Sequence, residues 1–354
     1  DRDENGNIIL SSIKGTPQLR ELPAGSRIAT FDDCNESSEQ KVVKRTITRQ
    51  KSIGKTKMEE APAWEVFPLK TGQLGYLPEA VQRFFQYNQR PPKGDSSLRL
   101  KVNKPVFLRK GMERSKQQSF LACIADIYDY KELIPKARNK SVTLTHNIKT
   151  SIENIKTIIK NHLTLDNFIT YQNGTLVDIF YSPQDEDIDV SQYESSRLYR
   201  ELHEKKPEYL LKIIIALNNF KDYLSQDDID IDYQYLWDII CVPMSGENEN
   251  EGGIFDMGLN LLILKSPDND ITNKIEVICP TNFYGSGYFD EDREILILYT
   301  RNGFYEPIYK YTRLSEGNKY RISKLFYLPV INRQAPQLAN MINYVKEQIL
   351  SKCK

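Results

Sequence analysis

The chain has 354 residues, enough for two or three domains of ordinary size. Its 48 Lys plus Arg equal its 48 Asp plus Glu, so bulk charge speaks for no nucleic-acid, membrane or acidic partner, and only charge distribution along the chain can. No apolar run approaches the roughly 18 residues of a membrane span, and the N-terminus lacks a signal-peptide pattern.

The chain opens at Asp1 without a methionine, which suggests a piece of something longer. Five cysteines, Cys34, Cys123, Cys241, Cys279 and Cys353, are far apart and odd in number, with no metal-ligand spacing. Cys123, Cys241 and Cys279 lie in apolar runs, as buried free thiols do. A reducing, intracellular compartment is the expectation.

Residues 1–60 read as a flexible N-terminal arm of Gly, Ser, Asn and charge. Inside it, Lys41, Lys44, Arg45, Arg49, Lys51, Lys55 and Lys57 form a basic run with no acid between them. Such a run can neutralise phosphates, which makes duplex DNA a candidate partner; a solvated spacer is the plainer reading. Residues 61–104 read as a small helix-turn segment. Thr71-Gly72 and Gly75 mark a turn, Leu77-Pro78 starts a helix, and Val81, Phe84 and Phe85 share its apolar face. After a linker rich in Pro and Gly, Leu98, Leu100, Val102 and Val106 alternate as in a strand.

Residues 105–330 carry the main domain. Val106-Phe107-Leu108 is strand-like and runs into a polar turn, Arg109 to Gln118. Then Phe120, Leu121, Cys123, Ile124, Ile127 and Tyr128 recur at helical spacing on one buried stripe. Ser119 stands just before that stripe, where a serine ordinarily caps the helix. A small side chain delivered by a polar loop to the start of a buried helix is also how cysteine proteases present their nucleophile. Helices follow over Ser141–Leu163, Tyr193–His203, Glu208–Leu224 and Tyr233–Cys241, with an Asn173-Gly174 turn within Leu165–Phe180. Strands follow over Leu259–Leu264, Ile275–Cys279, Glu294–Tyr299 and Phe304–Tyr311. Residues 331–354 close on an amphipathic helix, Gln337–Lys352. Helices first and strands later predict an α+β fold with a mixed, mostly antiparallel sheet.

The usual catalytic signatures are missing: no phosphate-binding Gly-rich loop, no His-Glu-x-x-His, no G-x-S-x-G. His146, His162 and His203 read as surface residues. The acids Asp185, Glu186, Asp187 and Asp189, and Asp227, Asp228, Asp230 and Asp232, read as solvated or helix-starting carboxylates in preference to a metal site. No metal or other cofactor is expected.

Three segments resemble the OTU branch of papain-like deubiquitinases. Lys116-Gln117-Gln118-Ser119-Phe120-Leu121-Ala122-Cys123-Ile124-Ala125 matches that family's nucleophile helix, with Ser119 in the place of the cysteine. Tyr235-Leu236-Trp237-Asp238 followed by Leu259–Leu264 matches its middle region. Asn302-Gly303-Phe304-Tyr305-Glu306 matches its late histidine strand, with Phe304 in the place of the base. The resemblance implies a papain-like core without catalysis, since serine lacks an activating base and phenylalanine cannot take a proton. An active cysteine protease or deubiquitinase is the competing reading.

A second resemblance spans roughly Phe67 to Lys310. The strings FPLKTGQLGYLPEAVQRFF, FLRKGMERSKQQSFLACIADIY, YLWDII, GLNLLIL, IEVICPTN and FYEPIY resemble the large subunit of the early transcription factor of nucleocytoplasmic large DNA viruses. The cysteine-rich segment expected upstream in that family is absent from this chain. The resemblance implies promoter binding, a helicase-like ATPase small subunit and the viral RNA polymerase as partners, and a location in the virion and the host-cytoplasmic viral factory. A virion structural protein is a third reading, prompted by 21 tyrosines in a net-neutral chain.

Overall fold

Apolar side chains that point alternately to opposite faces of four neighbouring strands give this protein two cores, one on each side of a sheet. The computed structural model describes residues 11–13, 16–18, 66–86, 100–133, 148–183, 188–244, 252–267, 274–279, 289–315 and 320–353. They fall in two compact units, Asp1–Glu60 and Ala61–Lys354. In the first, β1 (Ser11–Ile13) pairs antiparallel with β2 (Thr16–Gln18), a hairpin in a region for which the sequence suggests no regular element. The basic run Lys41–Lys57 lies outside the described residues.

The second unit begins with β3 (Leu74–Tyr76), α1 (Glu79–Phe84) and β4 (Pro105–Lys110). Its helical middle comprises α2 (Ser119–Leu133), α3 (Ile148–His162), α4 (Leu165–Phe168), α5 (Thr175–Phe180), α6 (Arg197–Leu202), α7 (Pro207–Ser225) and α8 (Tyr233–Cys241). Then come β5 (Asn260–Lys265), β6 (Glu276–Val277), β7 (Ile295–Arg301), β8 (Phe304–Arg313) and β9 (Tyr320–Ser323), and finally α9 (Leu328–Gln334) and α10 (Pro336–Tyr344). The chain is α+β. Its seven-stranded sheet runs β3-β4-β8-β7-β5-β6, with β9 also paired to β8. Only β5 and β7 run parallel; the other pairs are antiparallel. Both ends of this order are blunt, three residues in β3 and two in β6, which leaves little open edge at these two ends for another chain to pair with.

Val106, Leu108, Leu261, Ile263, Leu296, Leu298, Tyr305 and Tyr309 face the larger core, shared with α2, α3, α7 and α8. Phe107, Leu262, Leu264, Ile295, Ile297, Tyr299 and Ile308 face the other, shared with α1, α9 and α10. A strand buried on both faces must read as a continuous apolar run, and Leu261–Leu264 does. Each such side chain removed from water contributes roughly 1.5–3 kcal/mol before conformational entropy is counted.

Several expectations need correction. The segment 61–104 and the C-terminal helix belong to the same compact unit as the main domain, because Leu77, Val81, Phe85, Leu338 and Ile342 fill the second core. Leu74–Tyr76 is a strand paired to Leu108–Lys110, not a turn. The helix expected over Tyr193–His203 is shorter. Ser196 starts it by accepting from Tyr199 N, and Asp166 takes the amides of Arg197 and Leu198. Leu165–Phe180 is two short helices joined across Gln172 and Asn173, whose φ values are 50° and 52°. The strand expected over Ile275–Cys279 shrinks to two residues, and β9 and α9 are additional. Cys279 is no buried free thiol: it is exposed and forms a disulfide with Cys353. The step from free thiols to a reducing compartment therefore loses one of its supports. Among the described residues no helix is long and apolar enough to cross a membrane.

Candidate functional site

The polar turn before α2 is tied down by its own short bonds. Glu113 accepts from the amides of Arg114 and Ser115 at 2.6 and 3.2 Å. Gln118, not Ser119, supplies the first carbonyl of the helix ladder, accepting from Ala122 N at 3.0 Å. Ser119 is fully buried. Its hydroxyl donates to the carbonyl of Lys116 at 3.0 Å and accepts from the amide of Tyr305 at 3.1 Å. The expectation of a capping serine is therefore overturned: the oxygen that would take a first-turn amide is spent on a strand.

The strand needs it. Tyr305 lies beyond the last β4–β8 pair, Arg109↔Ile308, so on that side no neighbouring strand meets its backbone. Cys123, one helical turn after Ser119, contributes an Sγ contact of 3.6 Å to the Tyr305 carbonyl oxygen. The start of α2 thus serves both backbone polar groups of one residue, which would otherwise be buried without partners. Phe120 packs on the Tyr305 ring with centroids 5.2 Å apart.

Phe304 begins β8 just after Asn302-Gly303, whose φ values are 52° and 77°. Two positive φ angles make the turn that matches strand twist, which explains Asn-Gly here. Phe304 is half-buried, edge-on to Phe67 at 6.3 Å. Ser119 therefore meets the backbone of Tyr305, the residue after Phe304, whereas the Phe304 ring packs on Phe67 at the opposite face of the sheet.

No base stands ready there among the described histidines. His162 is buried and bonds to the carbonyl oxygen of Gly252 at 2.9 Å, which corrects its reading as a surface residue. His203 is exposed and stacks on Tyr199, and His146 lies outside the described residues. Burial, with the carboxylates of Asp126 and Glu306 adding to it, pushes the Cys123 thiol well above its ordinary value. A fully buried neutral thiol is a poor nucleophile.

Beneath Ser119 the helix carries a charged cluster that the sequence reading missed. Asp126 accepts from Lys110 and Lys324 at 2.7 Å each and from the Tyr309 hydroxyl at 2.6 Å. Burial alone would raise this carboxyl, but Lys324 and Lys110 outweigh it and bring it down to about 2. Burial also raises Tyr309, and Asp126 reinforces the effect. On the other core, Arg109 and Glu306 form a fully buried pair at 2.5 Å. Glu306 also accepts from the amide of Leu69, and Arg109 donates to the carbonyls of Tyr76 and Val66. Burial raises the Glu306 carboxyl despite the opposing guanidinium. Both clusters had a visible sign: one acid in the apolar stretch of α2, one arginine closing an apolar strand.

Three of the acids after α7 have structural work. Asp227 pairs with Lys156 at 2.6 Å, Asp230 with Lys116 at 3.0 Å, and Asp232 accepts from Gln234 N to cap α8. Of the earlier group, Asp189 accepts from Ser191 N, and residues 185–187 lie outside the described residues. Among the described residues no cluster of three or more His, Cys, Asp or Glu could hold a metal. Set against models of protein families, curated proteins and solved structures, the chain matches none.

Proposed function

We propose that the chain is a non-catalytic binding domain of a viral early transcription initiation factor, with an OTU-like core and Lys41–Lys57 as its DNA-contacting arm. The observation that carries the non-catalytic reading is the state of Ser119. Its hydroxyl is buried and committed on both sides to backbone groups, and the residue at the base position is Phe304. A nucleophile needs a base within hydrogen-bond reach, and here the same geometry fastens a helix to a strand. The viral assignment rests on the six strings quoted above, and so do the helicase-like ATPase subunit, the viral RNA polymerase and the virion or viral-factory location.

DNA contact is the part most directly tested. Seven basic residues without an acid concentrate any attraction to phosphate in one segment. If about four engage at once, the log–log salt slope on duplex DNA is roughly −3 to −4, from about 0.9 counterions released per phosphate. Replacing Lys44, Arg45, Arg49 and Lys51 by Ala should flatten that slope and weaken binding to all sequences alike, since phosphate contacts position without specifying. Anisotropy titrations from low to moderate salt decide it. Equal binding by wild type and the four-fold variant would make the arm a spacer and remove this reading.

A further inference from the structure

We propose that Cys279 and Cys353 form a thiol-exchange latch that holds the segment after α10 against the edge strand β6. The two cysteines are 74 residues apart in sequence and joined by a disulfide, with Cα atoms 5.6 Å apart. What each half is attached to makes the bond a latch.

Cys279 follows β6, a strand of two residues held to β5 by the pairs Leu264↔Val277 and Lys265↔Glu276, plus Ile278 N to Ile263 O at 2.9 Å. Cys353 follows a helix that loses its regular ladder before reaching it. Val345–Ile349 is a π turn and Leu350–Lys352 a 3-10 turn. The first segment is held by a two-residue strand and the second leaves the regular α-helical ladder, so both are places where local opening is resisted by a covalent link. Val345, Leu350 and Cys353 nevertheless lie in the second core. Opening this end would uncover apolar surface there while leaving the larger core intact.

Access is asymmetric in the way exchange requires. Cys279 is exposed and Cys353 buried, so an external thiolate reaches the Cys279 sulfur. The S–S bond breaks, Cys353 leaves as a thiolate and takes a proton, and a mixed disulfide forms at Cys279. The second thiol of a dithiol reductant attacks that mixed disulfide and frees Cys279. Two electrons and two protons pass to the protein, and the dithiol becomes a disulfide. The other two described cysteines do not compete: Cys123 and Cys241 are buried free thiols, and burial raises both.

The latch is independent of any DNA-binding role. The test uses the 354-residue chain, isolated without reductant and split into two samples, one treated with dithiothreitol. Non-reducing peptide mapping should recover one linked pair, Cys279 with Cys353. Hydrogen exchange followed by mass spectrometry should then show residues 276–278 and 345–352 exchanging at least about tenfold faster after reduction, with α2 and α7 unchanged. Cys279→Ser, at an exposed position, should reproduce the fast exchange without reductant, and Cys353→Ser should match it. Free thiols at both positions in the unreduced protein would overturn the proposal. So would a different pairing, or identical exchange before and after reduction.

Discussion

Ser119 shows how one hydroxyl can be read two ways and do a third thing. As a helix cap it would tolerate replacement by Asp. As the link between Lys116 O and Tyr305 N it would not, because a carboxylate cannot donate to a carbonyl and would be buried. Ser119→Ala should cost about 1–3 kcal/mol, the usual penalty for leaving a buried polar group unpaired. Ser119→Asp should cost more, and urea denaturation of both variants checks the order. Asp126 gives a pH signature. Its folded value of about 2 lies below the ordinary 3.9 or so. Its stabilisation is therefore complete above pH about 5 and lost as pH falls through 2, about 2.5 kcal/mol in all. Glu306 runs the other way, since burial raises it and its protonation on acidification favours the folded state, at higher pH. Asp126→Asn should flatten the acid limb of the stability curve between pH 4 and 2. It should also weaken the protein at neutral pH by about 3 kcal/mol, because two lysines lose their buried partner. Denaturation midpoints measured across that pH range test both effects.

At the scale of elements, the contact of β3 and its preceding loop with β4 depends on glycine for two different reasons. A Cβ on Gly111 would sit 2.1 Å from the Lys70 carbonyl oxygen, whereas one on Gly72 would meet nothing within 4 Å. Gly72 instead has φ +77°, where an alanine is strained by about 1 kcal/mol. Gly111→Ala should therefore destabilise severely, by more than about 2 kcal/mol, since the obstacle is backbone and cannot rotate away. Gly72→Ala should lose only about 1. Thermal denaturation of the two variants distinguishes them, and equal losses would mean that the close approach at Gly111 is relieved elsewhere. The same segment is clasped by the Arg109–Glu306 pair through Val66, Leu69 and Tyr76, which is why the stretch before residue 105 belongs with the sheet.

At the scale of the whole molecule, all described members of both cores come from Phe67 onward, and the second compact unit begins at Ala61. Removing residues 1–60 should leave the melting temperature of the remainder within about 2 °C of the parent chain, about the shift that 1 kcal/mol produces in a domain of this size. A large drop, read by calorimetry, would mean that the first unit supports the second. The two-sided sheet has a further consequence for variants. An apolar-to-polar change on either face of Leu261–Leu264 or Ile295–Tyr299 removes core contacts, so no position in those two runs offers a benign surface.

The sequence by itself determined the α+β class, the helical middle and the strand-rich second half. Those features rest on local periodicity, which a single chain displays openly: period 3.6 in α2 and α7, unbroken apolar runs in β5 and β7. Tertiary structure alone decided what Ser119 does, because its partner Tyr305 lies 186 residues away and no local spacing encodes that contact. It alone placed Asp126 between Lys110 and Lys324 and Arg109 against Glu306, since pairing of buried charges depends on which elements meet. It alone joined Cys279 to Cys353, because cysteine spacing cannot choose among pairings that only the packed chain brings within bonding distance.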